Sequence, residues 1–167
     1  VMQLEIEQIL AAIQCVAGGN ADTYIAAMPM FLTAHTCIDL PALGMAESLI
    51  EALHILEGTP YFAVLREPIV RAAETGRLDI CDCERRLYTM YYMRLLKAIE
   101  KNYKGAAKKE LKRTVLRSID MENVVSVHRY TMFFGEDADK VLAQALNMEG
   151  QSPAACREAL AKQVGDA

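Results

Sequence analysis

Apolar residues recur in this chain at steps of three and four, and nowhere do they alternate with polar ones over the length of a strand. Leu4, Ile6, Ile9, Leu10, Ile13 and Val16 trace one side of a helix that Gly18-Gly19 closes. A sheet needs period-two runs bounded by turn residues, and Val and Ile never fall into them. The lack of Trp and the wealth of Ala, Leu, Met and Glu agree with helix. The chain is expected to be all-α.

The expected elements follow in order. After a polar turn with Asn20 and Asp22 come one or two short helical pieces over 23–38, interrupted at Pro29. Pro41 and Gly44 lead into a helix near 45–57, carrying Leu49, Ile50, Leu53 and Leu56, which Gly58 stops. Thr59-Pro60 restarts a helix, with Thr as cap and Pro at the first helical position. Pro68 opens another short helix or turn that ends near Gly76. Asp79 or Asp82 caps the longest helix, about 80–104. Its stripe is Ile80, Cys83, Leu87, Tyr91, Leu95 and Ile99, widened by Tyr88, Tyr92 and Leu96, and Gly105 breaks it. Helices near 106–118, 120–134, 136–147 and from Ser152-Pro153 to about Val164 bring the total to about nine, joined by short connections.

With 167 residues, 53% hydrophobic and 24% charged, the chain can bury a sizeable core. Its net charge of −4 is unevenly spread. Residues 1–65 hold no Lys or Arg, whereas Arg94, Lys97, Lys101, Lys104, Lys108, Lys109, Lys112, Arg113 and Arg117 face only Glu100 and Glu110 in their segment. Such asymmetry suits charged partners or an internal docking surface. Five cysteines without regular spacing, and no signal sequence ahead of them, lead to an expected reducing, cytoplasmic compartment. The richest apolar stretch, Tyr24–Ala34, is short and broken by Pro29, so no transmembrane segment is expected. The chain opens on Val1 rather than Met, as a piece of a longer protein would.

Little in the sequence carries chemistry. Cys81-Asp82-Cys83 lacks the second ligand pair that tetrahedral zinc requires, and reads better as a capped helix start with one Cys buried. His35, His54 and His128 are isolated, and Cys37 beside His35 lacks a third orienting group. No glycine loop of a phosphate-binding type occurs. No catalytic, cofactor-binding or metal residue is assigned. Lys97, Lys101, Lys104 and Lys108 advance by four, three and four, one stripe if a helix runs through Gly105. That stripe is either a solvated face or an attraction for an acidic partner or anionic headgroups. Nucleic acid is disfavoured by the sequence pI of about 5.4 and by the lack of an aromatic–basic interleave along the stripe.

The stretch Arg117–Gly135 is read as a helix capped by Asp120 and stopped by Gly135. Within it Asn123 and Arg129 are expected to be buried or half-buried, tying the helix to different neighbours. An internal echo accompanies it: Gln8, Gln14 and Gly19 align with Asn123, Arg129 and Gly135, with one residue's difference at the Gly.

Ile119-Asp120-Met121-Glu122-Asn123-Val124, followed by Arg129, resembles the I-D-x-x-N-hydrophobic … R signature of the C-type subunit of the V/A-type rotary ATPases, whose eukaryotic counterpart is the d-type subunit. Leu56-Glu57-Gly58-Thr59-Pro60-Tyr61 resembles that family's L-x-G-T-P-Y segment, and the helix with Glu84, Leu87, Tyr88 and Tyr91 resembles its long aromatic helix. The resemblance runs from about Leu4 to Val164 and implies part of a funnel-shaped protein built from helical repeats. Residues 1–57 would end one repeat and its connection, and 58–167 would form the second repeat and the start of the next connection, the two packing separately or as a single unit. Gln8 and Gln14 depart from the pattern at the Asn and Arg positions of the earlier copy. The family implies a central-rotor adaptor, peripheral to the membrane and without catalysis or cofactor. Its partners would be the central shaft subunits and the cytoplasmic loops of the proteolipid ring, coupled for ion transport. The alternative is an all-α scaffold or regulatory module that has left the ATPase.

Overall fold

The computed structural model describes residues 1–135, with eight helices and no strand among the described residues. In order they are α1 (Met2–Gly18), α2 (Ala21–Ala27), α3 (Met30–Thr33), α4 (Leu40–Met45), α5 (Leu49–Ile55), α6 (Pro60–Thr75), α7 (Ile80–Asn102) and α8 (Gly105–Phe134). The fold is all-α, as expected. The helices expected at 136–147 and from Ser152-Pro153 to Val164 lie outside the described residues.

The chain forms two compact units that divide between Tyr91 and Tyr92, part-way along α7. In the first, α1, α2, α4 and α5 pack together and α5 packs on α6. Ile6, Ile9 and Ile13 of α1, Leu40 and Leu43 of α4, and Tyr61, Leu65 and Ile69 of α6 are fully buried there. Helices as short as α2 to α5 are marginal alone. Burial of each large apolar side chain, about 1.5–3 kcal/mol, is what holds them.

Three boundaries differ from the sequence expectation, each for a physical reason. The helix expected near 45–57 begins only at Leu49, as α5, and the entry stretch with Pro41 and Gly44 is itself a helix, α4. Asp39 opens α4 early by accepting from the Ala42 amide at 3.0 Å, and the backbone turns extended at Ala46. Ser48 then starts α5, accepting from the Glu51 amide at 3.1 Å while the Glu51 carboxylate accepts from the Glu47 amide at 2.8 Å. This is a capping box shifted by one residue at its return bond, and it outcompetes the simple apolar period.

Pro68 does not open a helix but lies inside α6, buried. It removes the bond to the Val64 carbonyl, a cost of about 3 kcal/mol in a helix interior. Leu65 before it and Ile69 and Ala72 after it lie on the same buried side, so packing carries the helix through the defect.

The helices expected at 106–118 and 120–134 are one helix, α8, and Asp120 is not its cap. Val115, Ile119, Asn123, Val127 and Tyr130 are buried at steps of four, four, four and three. That line crosses residue 120 without interruption. The propensity cost of a mid-helix Asp, at most about 0.7 kcal/mol, is small beside it.

Candidate functional site

The Thr-Pro-Tyr segment is a packing node rather than an open site. Thr59 stands at the N-cap position of α6, yet its hydroxyl makes no cap bond. It instead donates to the Leu56 carbonyl at 2.6 Å, closing the turn behind it. Pro60 occupies the first helical turn, as expected. Tyr61 points inward, and its hydroxyl donates to Glu5 Oε2 at 2.5 Å. The other Glu5 oxygen accepts from the Thr36 hydroxyl at 2.6 Å. Glu5 is only 7% exposed, so these bonds offset much of the desolvation of a buried carboxylate. One carboxylate thus ties α1, the segment after α3, and α6 together. Sequence reasoning missed Glu5, although its place one turn before Ile9 and two before Ile13 marks it as inward-facing.

The signature residues of α8 are dispersed. Asn123 is 6% exposed, in line with the buried Val115, Ile119 and Val127. Arg129 is half-buried, six residues on and so about 120° around the helix. Its guanidinium carbon lies 4.9 Å from the centroid of the buried Tyr130 ring. Asp120 is half-buried on the same helix. Val127 faces inward, whereas Met121, Val125, His128 and Met132 are exposed.

The lysine stripe is divided. α7 ends at Asn102, Lys104 is extended, and α8 begins at Gly105, whose φ is 60°. Lys97 and Lys101 are exposed on α7. Lys108 turns back to Glu100, Nζ to Oε2 2.7 Å, and Lys112 binds the other Glu100 oxygen at 2.6 Å. Those two hydrogen bonds hold the Glu100 carboxyl down at about 2. Lys108 therefore serves the α7–α8 corner and is not one of four equivalent cations.

A second polar cluster, also missed, joins α6 to α7. Arg86 donates to Glu67 Oε2 at 2.8 Å and to Asp82 Oδ2 at 2.9 Å, while Arg71 pairs with Glu67 and Arg85 with Asp82. Hydrogen bonds from Arg86 lead the effects that lower the Glu67 carboxyl. Partial burial works against the Arg86 charge, but Glu67 and Asp82 outweigh it and raise the group. At the start of α7 the Asp79 carboxylate accepts from the Asp82 amide at 3.0 Å, so Asp79 supplies the cap. Cys83 is fully buried, and burial first, with Asp82 and Asp79 behind it, pushes its thiol up to about 12. Such a thiol is inert as a nucleophile at neutral pH.

Among the described residues, no group of three His, Cys, Asp or Glu side chains could hold a metal ion. No helix among them is long and apolar enough to cross a membrane. A shallow depression along α6 is lined by Ala63, Arg66, Glu67, Val70, Arg71 and Glu74, the outward face of a single helix. Among the described residues, the polar clusters around Glu5 and around Arg86 pair within themselves.

The family model described as ATP synthase (C/AC39) subunit matches residues 1–163 of the chain. No curated protein and no solved structure matches it.

Proposed function

We propose, from the premise that this chain belongs to the ATP synthase (C/AC39) subunit family, that it serves as a non-catalytic central-rotor adaptor of a V/A-type rotary ATPase. It couples the central shaft to the cytoplasmic loops of the proteolipid ring, peripheral to the membrane on its cytoplasmic side, and transmits torque for ion transport. The single observation that carries this reading is the family match, which spans residues 1–163. Pairing between polar side chains of different helices fits it: Glu5, Tyr61 and Thr36, like Glu67, Arg86 and Asp82, lock helix to helix. An adaptor that carries torque needs rigid joints more than a reactive pocket. In this reading Asp120, Asn123 and Arg129 act within α8 as packing residues. Residues 1–57 and 58–167 belong to successive repeats, with α1 and α8 as their corresponding helices; both end on a left-handed glycine, Gly19 and Gly135.

Co-purification of the full-length protein with a shaft subunit or the proteolipid ring tests the proposal. Capture of both is expected. A folded protein that binds neither would overturn it in favour of an all-α scaffold outside the ATPase.

A further inference from the structure

The first five helices carry acidic side chains and no Lys or Arg. Glu7, Asp22, Asp39, Glu47, Glu51 and Glu57 are exposed, and no Lys or Arg precedes Arg66. The basic residues of this unit start on α6, and Arg71, Arg85 and Arg86 are engaged by Glu67 and Asp82. The same helices display large apolar side chains that the fold does not use. In α3 Leu32 is buried and anchors the turn, while Met30 and Phe31 stand 71% and 64% exposed. Met45, at the end of α4, is 69% exposed. Ile25 of α2 is 37% exposed, its Cδ1 3.1 Å from where a Cβ on Gly44 of α4 would stand. Scattered exposed apolar residues are ordinary. Met and Phe together on a surface without a single Lys or Arg are a more selective feature.

We propose that this acidic end of the first unit docks a basic amphipathic helix of a partner protein, with Met30 and Phe31 as its apolar contact. Met adapts to the partner's shape and Phe supplies rigid area, while the carboxylates of these helices, with no Lys or Arg among them, select Lys and Arg on the incoming helix. The same charge repels anionic lipid headgroups and nucleic acid. The proposal stands on the exposure and charge of these helices and does not depend on the ATPase reading, so each can fail without the other.

The test is fluorescence anisotropy with the full chain and a labelled synthetic helix carrying Leu on one face and Lys on the other. The Lys helix should bind, its Glu counterpart should not, and affinity should fall as salt is raised. Met30→Ser with Phe31→Ser should weaken binding by about tenfold or more. Both residues are exposed, so the fold should survive, as circular dichroism would verify. Glu7→Lys with Asp22→Lys should weaken binding independently, without touching the apolar pair. Met121→Ser with Val125→Ser, exposed on α8, should leave it unchanged. The proposal is overturned by absence of binding, by equal binding of the Glu helix, or by indifference to both the serine and the charge-reversal variants. Binding to phosphatidylserine vesicles that is lost in the serine variant would likewise overturn it, in favour of a membrane surface.

Discussion

The Tyr61 hydroxyl and the Glu5 carboxylate meet at 2.5 Å across 56 residues of sequence, inside the core of the first unit. The bond joins the start of α6 to the start of α1. It gives the Thr-Pro-Tyr segment a structural purpose: Pro60 sets the helix entry, and Tyr61 delivers a donor to a carboxylate that burial would otherwise penalise. Tyr61→Phe keeps the ring and removes that donor. It should cost about 1–3 kcal/mol, as loss of a buried partner does, read as a lower urea midpoint with an unchanged m-value.

Gly44 lies against the ring of Tyr24, itself buried. A Cβ at Gly44 would stand 2.1 Å from Tyr24 Cδ1 and 2.5 Å from Cε1. The ring belongs to a packed core and cannot swing into solvent. Gly44→Ala should therefore destabilise the unit by about 1–3 kcal/mol through overpacking. A melting temperature equal to that of the parent would refute the close approach.

Glu100 sets an acid limit on the α7–α8 corner. Its carboxyl sits at about 2 against an ordinary 4.5 because Lys108 and Lys112 bond its charged form. The folded chain thus holds this proton less tightly than the unfolded chain. The contribution is complete above pH 4.5 and drains away as the pH falls toward 2. Glu100→Gln should lower stability at neutral pH and flatten its decline in that acid window. Because the carboxylate is solvent-exposed the effect is small, and high salt should shrink it in the parent. Paired urea titrations of parent and variant across the window would show a constant offset if the corner plays no part.

Asn123 and Arg129 should separate by depth. Asn123→Ala leaves a buried polar environment short of a partner and should cost about 1–3 kcal/mol. Arg129→Ala removes a half-buried side chain from beside the Tyr130 ring and should also destabilise, by about 0.5–2 kcal/mol. Thermal melts of both variants check this order. An Arg129→Ala protein as stable as the parent would remove Arg129 from the packing of α8.

Helix content was legible because it is local. Three- and four-residue apolar steps, Gly19 and Gly135 at helix ends, and Pro29 between α2 and α3 all act within a turn or two. Two local signals misled. Asp120 reads as a cap and Pro68 as a helix start, because each usually is. Both lie inside helices whose buried lines continue past them.

What the sequence determined by itself is the helical class, the acid–base division of the chain and the motifs that carry its family membership, since each depends on residue type and spacing alone. The tertiary structure decided the pairings: Glu5 with Tyr61 and Thr36, Arg86 with Glu67 and Asp82, Glu100 with Lys108 and Lys112, and the ring of Tyr24 on Gly44. It also decided that Met30 and Phe31 face outward while Leu32, the next residue along, faces in. Many polar residues could satisfy a buried carboxylate, and only the packing of helices distant in sequence selects which one arrives. Exposure, likewise, belongs to the assembled surface and not to any residue on its own.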